Sequence, residues 1–169
     1  MKNLIYSLLI IVILALVGFI VRTLHKNTLI QEQYAEIPLL KLVNSSDKSV
    51  SINDIIGNKP TIIMLFSIDC EHCDYQLKEF ENHKIDFPAT NLIFISFDDK
   101  RKLFKFFEGK TFFDRKIFYA SVNNVSRAFG LKPTPYLFIY DNHKRLIKRI
   151  DGEIKIPALT KIINNLKIN

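Results

Sequence analysis

The stretch Thr61-Ile-Ile-Met-Leu-Phe-Ser-Ile-Asp-Cys-Glu-His-Cys73 leaves the chain few ways to fold. Five of the six residues after Thr61 are apolar and no turn signal interrupts them, so Ile62 to Ser67 reads as a buried strand. Two cysteines follow at Cys-x-x-Cys spacing. From Asp74 to His83, residues Tyr75, Leu77, Lys78, Phe80 and Glu81 fall at helical spacing, which places Cys73 inside a helix whose first turn begins near Cys70. A strand therefore delivers a dithiol to a helix start. The free N–H groups and positive dipole end there stabilise an anion, and the thiolate is the reactive form of cysteine.

These are the only two cysteines in the chain. A secreted scaffold held by disulfides carries several distant cysteines, so this count points to redox work or metal binding instead. The formal net charge is +7, but the positive residues are spread along the sequence and no basic run lies beside a reading motif. That distribution describes a solvated surface and argues against nucleic-acid binding. Nor is there a nucleotide fingerprint, a phosphate loop or a serine triad, and with Gly 5 there is little material for one.

Before the organising stretch, Leu4 to Val21 runs without a charge. As a helix it would be about 27 Å long, close to the ~30 Å hydrocarbon layer of a bilayer. Residues Val17 to Val21 lack the small-x-small pair of a cleavage site, so residues 1–22 read as an uncleaved membrane anchor. Residues 23–36 are polar, without Gly or Pro, and read as a stalk. Arg22 and Lys26 after the span, against Lys2 before it, would by themselves place the rest of the chain in the cytoplasm. Long domains, however, translocate largely regardless of flanking charge.

Residues 37–169 read as one α/β domain. Ile37 to Val43 and Ser49 to Ile52, separated by Asn44-Ser45-Ser46-Asp47-Lys48, suggest a hairpin, followed by a short helical turn at Asn53-Asp54. After the dithiol helix, Asn91 to Phe97 is a second apolar strand, ended by the turn acids Asp98 and Asp99; strand, helix, strand implies a right-handed parallel crossover. Lys100 to Glu108 carries Leu103, Phe106 and Phe107 on one helical face and four basic residues elsewhere, and packing on the sheet is the reading preferred over membrane contact. A short strand is expected at the end of Gly109 to Ser121. Asn123 or Asn124 can then cap a helix over Val125 to Phe129 that Gly130 ends. Leu131-Lys-Pro-Thr-Pro135 leads into an antiparallel pair, Tyr136 to Tyr140 and Arg145 to Ile150, and Ile156 to Leu166 has helical spacing.

This order, with Cys70-Glu-His-Cys73 at a strand-to-helix junction and Thr134-Pro135 about sixty residues later, resembles the thioredoxin fold. The opening hairpin, the extra helix between the second and third sheet strands and the single transmembrane helix look like the TlpA-type branch, the membrane-tethered thiol-disulfide oxidoreductases. The resemblance spans roughly Ile37 to Ile168. It implies a central mixed sheet flanked by helices, an extracytoplasmic (periplasmic) domain, protein thiols and disulfides as partners, and no cofactor. It makes Cys70 the nucleophile and Cys73 the resolving thiol. Pro135 matches the family's cis-proline facing the dithiol, leaving the Thr134 backbone free to pair with an extended substrate. Around the pair, protonated His72 would favour the Cys70 thiolate and oxidising behaviour, while Asp69 and Glu71 oppose ionisation; two acids against one histidine lean toward a reducing or intermediate potential.

Two departures from the resemblance stand out. Asp69 occupies the place of the tryptophan common before the first cysteine, and Met64 that of a buried acid six residues before it. The usual proton acceptor for the resolving thiol is missing there, and Glu71 is a candidate substitute. Other chemistries lack their residues. A structural zinc needs more ligands than Cys70 and Cys73 supply, since His72 points away from the line joining them and His83 has no histidine three to five residues beyond it; a copper-delivery role usually wants a different cysteine spacing and a distant histidine, and His143 reads as a solvated turn residue. A peroxidase of the peroxiredoxin type would need Pro and Thr shortly before its cysteine, where Ser67-Ile68-Asp69 stand. An anchored interaction module with a purely structural bond gains little from so short a loop.

Overall fold

The computed structural model describes residues 6, 10–23, 35–114 and 116–166. The chain divides into two units, residues 1–35 and 36–169. In the first, residues 10–23 form a helix, α1, whose apolar side chains from Ile10 to Val21 are exposed. Among the described residues no helix is long and apolar enough to cross a membrane. Residues 1–5 and 7–9 of the expected anchor, and 24–34 of the expected stalk, lie outside the described residues.

The second unit is an α/β domain built on one mixed sheet. Its strands are β1 (Lys41–Val43), β2 (Ser49–Ser51), β3 (Thr61–Phe66), β4 (Asn91–Ser96), β5 (Ile117–Tyr119), β6 (Tyr136–Tyr140) and β7 (Leu146–Asp151), in the spatial order β2-β1-β5-β4-β3-β6-β7. β3 runs parallel to β4, which runs parallel to β5, while β6 lies antiparallel on the other side of β3. Sitting between two strands and covered on both faces, β3 is buried at every residue, as its continuous apolar run predicts. The helices are α2 (Ile52–Ile55), α3 (Glu71–Asn82), α4 (Lys100–Phe106), α5 (Val122–Phe129) and α6 (Ile156–Leu166).

The strand period of two sorts the core into faces. Ile62, Met64 and Phe66 of β3 join Phe94, Leu137 and Ile139 in one cluster with Cys73, Leu77 and Phe80 of α3 and Ile156, Leu159 and Ile163 of α6. On the opposite face Phe129 of α5 meets Phe138 of β6 with ring centroids 4.8 Å apart, and the Tyr136 hydroxyl donates to the Gly130 carbonyl at 2.8 Å. Phenylalanines fill the first layer edge to face: Phe80 with Phe94 at 5.3 Å, Phe94 with Phe113 at 5.5 Å and Phe107 with Phe113 at 4.9 Å. Such pairs contribute roughly 0.5–1.5 kcal/mol each beyond the area they bury.

Most expected elements are present, with shifted ends. The opening hairpin pairs Leu42 with Val50, and the next helical turn starts at Ile52 rather than Asn53. α4 buries Leu103, its C-cap Phe107 is also buried, and the helix stops at Phe106, short of Glu108. The expected cap of α5 is corrected. Ser121, not Asn123 or Asn124, accepts the Asn124 N–H and starts the helix at Val122, because the chain is still extended at Ser121 and its hydroxyl reaches the third helical N–H. A 3₁₀ turn at Thr111–Phe113, which buries Phe113, had no periodicity to announce it.

Candidate active site at the β3–α3 junction

β3 ends at Phe66, and the connection Ser67-Ile68-Asp69 carries the chain to Cys70, the residue that caps α3. The connection is held from the next strand. Asp98, just past β4, accepts the Ile68 N–H at 2.7 Å and the Ser67 hydroxyl at 3.0 Å, and is itself braced by the Ser96 hydroxyl at 2.8 Å. Asp98 and Asp99 read from sequence as equivalent turn acids; Asp99 instead caps α4 through the Lys102 N–H at 3.0 Å. Paired strands with ends at the same level let one carboxylate serve its neighbour's loop.

Cys70 and Cys73 form a disulfide with Cα atoms 5.2 Å apart. Their environments differ. Cys70 is partly exposed in the capping position, and its sulfur accepts the Cys73 N–H at 3.2 Å, one of the helix-start donors that favours charge on that sulfur. Cys73, one turn along, has no exposure at all. One sulfur faces outward beneath a donor and the other is sealed in the core.

The remaining sequence-singled residues gather around this pair to different degrees. The Thr134–Pro135 peptide is cis, and the Thr134 carbonyl oxygen lies 3.4 Å from the Cys70 sulfur. An open groove lined by Leu131, Lys132, Pro133, Thr134, Asp151 and Gly152 adjoins it. Asp69 and Glu71 flank Cys70 in sequence and are both exposed, whereas Cys73 is buried. His72 is also exposed and turns to Glu153, with Nδ1 2.5 Å from a carboxylate oxygen. Met64 is fully buried in β3. Among the described residues, no three or more His, Cys, Asp or Glu side chains gather as a metal site.

Sequence reading missed the segment that binds these parts together. Gly152 donates its N–H to the Pro135 carbonyl at 2.8 Å, Glu153 meets His72, and the Ile154 N–H donates to the Gln76 amide oxygen at 2.7 Å. Three consecutive residues thus touch both the proline turn and the dithiol helix. Gly152 has φ +96°, a backbone conformation that glycine adopts without strain. Gln76 lies in the buried stripe of α3 with Cys73, Leu77 and Phe80.

A family model described as the AhpC/TSA family matches residues 34–149. The chain belongs to the AhpC/TSA family. No curated relative matches it. Among solved structures, the AhpC/TSA domain is similar to StoA from Bacillus subtilis, at 13% identity and TM-score 0.61 over 76% of this chain and 98% of that one. A thioredoxin-like protein from Porphyromonas gingivalis is 24% identical, with TM-score 0.64 over 79% and 94%. A thiol:disulfide interchange protein of the thioredoxin family from Chlorobium tepidum TLS is 15% identical, with TM-score 0.62 over 78% and 95%. At these identities the likeness is one of fold. Family and dithiol together make this AhpC/TSA protein a thiol-disulfide oxidoreductase of the thioredoxin-like class.

Proposed function

We propose that the protein is a membrane-tethered, TlpA-type oxidoreductase that exchanges disulfides with other proteins through Cys70 and Cys73, with its domain on the extracytoplasmic side. The observation that carries this reading is the asymmetry of the pair: Cys70 accessible, beneath the Cys73 N–H and 3.4 Å from the Thr134 carbonyl, and Cys73 buried. In the reduced protein the Cys70 thiolate attacks a partner disulfide; one partner sulfur leaves as a thiolate and the other is held in a mixed disulfide. The Cys73 thiolate then attacks the Cys70 sulfur, the mixed bond breaks, and the second partner sulfur leaves. The partner gains two electrons and the protein's dithiol loses them. Thr134 and Pro135 present a backbone edge on which an extended partner segment lies beside the reacting sulfur.

Asp69 and Glu71 place negative charge near Cys70 and favour a reducing or intermediate potential. The apolar run Leu4 to Val21 supports the tether. Insulin-disulfide reduction tests the exchange: wild type turns over, Cys70→Ser is inactive, and equal activity in the two sinks the reading. An impermeant thiol reagent on intact cells tests the side, since a cytoplasmic domain stays unlabelled.

A further inference from the structure

The Cys73 half of the reaction has no acid at position 64, because Met64 fills that place in the core. What the core offers near Cys73 is an amide. Gln76 lies three residues along α3 and, like Cys73, is completely buried; residues three apart on a helix share a face. The amide oxygen accepts the Ile154 N–H at 2.7 Å, and this fixes the amide's orientation because an N–H donor requires the oxygen. The amide nitrogen is thereby left buried with no hydrogen-bond partner among the described residues. A buried donor left unmade is costly, so its retention points to a partner that exists only at another stage of the reaction.

That stage is the resolving step, which puts a negative charge on a sulfur buried in the same apolar cluster as Met64, Phe66, Leu77 and Phe80. Such a charge is expensive unless a donor meets it. We propose that Gln76 supports resolution: its amide oxygen pins α3 to the Gly152–Ile154 segment, and its amide N–H stabilises the Cys73 thiolate. This rests on the exchange reading proposed for Cys70 and Cys73. In the step, Cys73 loses its proton to solvent, its thiolate bonds to the Cys70 sulfur, the Cys70–partner bond breaks, and the partner sulfur leaves with the electron pair and takes up a proton from solvent. Gln76 keeps its own protons throughout. Because Gly152 also donates to the Pro135 carbonyl, the same segment keeps the helix in register with the turn beside Cys70.

The test uses the full-length protein with insulin and a saturating regenerating thiol, comparing wild type with Gln76→Leu and Gln76→Glu. Gln76→Leu removes donor and acceptor together. Gln76→Glu keeps an oxygen for the Ile154 N–H and, assayed at a pH where its carboxyl is ionised, offers no donor, so it separates loss of the pin from loss of the N–H. The expected result is a roughly tenfold fall in kcat for both variants with the Cys70–insulin mixed disulfide accumulating, because attack by Cys70 precedes the affected step. A Gln76→Glu enzyme at wild-type kcat or faster overturns the proposal, since the position then works without a donor. So does a fall of kcat in both variants with no accumulation of the mixed disulfide, which marks a merely structural role. A Cys73→Ser protein that traps no mixed disulfide overturns the exchange reading itself, whatever Gln76 does.

Discussion

The Asp98 carboxylate accepts the Ile68 backbone N–H at 2.7 Å, so the loop delivering Cys70 from β3 is fastened to the end of β4. The residues are thirty apart in sequence and meet because β3 and β4 run parallel, with Phe66 opposite Ser96. Removing the carboxylate strips the Ile68 N–H and the Ser67 and Ser96 hydroxyls of one shared acceptor. Asp98→Ala is expected to cost about 1.5–3 kcal/mol in urea unfolding, the range for hydrogen bonds to a charged group. Iodoacetamide alkylation of reduced Cys70 should slow in the same variant, and Asp98→Asn, which keeps one acceptor oxygen, should lie between.

The charges beside the dithiol act on the Cys70 thiolate. Asp69 and Glu71 are exposed, so solvent weakens each of them, but both oppose a negative sulfur. Asp69→Asn combined with Glu71→Gln is expected to favour the reduced dithiol by about threefold to tenfold, raising the reduction potential by roughly 15–30 mV. Equilibration with a glutathione buffer measures it, and an unchanged or lowered potential contradicts the assignment.

The turn between β6 and β7 carries a pH dependence. Burial alone would raise the Asp141 pKa, but the Arg145 N–H, the Arg145 guanidinium and the His143 N–H hold it below the ordinary 3.8. A carboxyl held low in the folded chain contributes stability that is fully present above its unfolded value and is lost as pH falls through the folded one. Stability should therefore drop as pH goes below about 4, and the drop should be shallower in Asp141→Asn. Urea midpoints from pH 6 to pH 2 check the slope.

The chain's own order made the sheet legible. Long apolar runs fixed β3 and β4, the Asp141-Asn142-His143 turn fixed the last pair, and the expected limits of Ile156 to Leu166 match α6. The Cys70 and Cys73 pair and the proline turn were legible because each is written locally, as a spacing or a dipeptide. Asp98, Gln76 and the Gly152–Ile154 segment were not, since their meaning lies in contacts between residues far apart in sequence. Asp98 looks like any turn acid until the parallel register puts it under Ile68. Gln76 looks like a surface residue until the burial of Cys73 shows which face of α3 is turned inward.

The sheet's two outer strands bear on how anything can approach this protein. At one margin β2 is three residues long, too brief a template for an incoming chain. At the other, β7 carries Lys148, Arg149 and Asp151, charges that discourage addition of another strand. A visiting polypeptide is thus steered off the flanks, and copies of the domain are kept from zipping edge to edge.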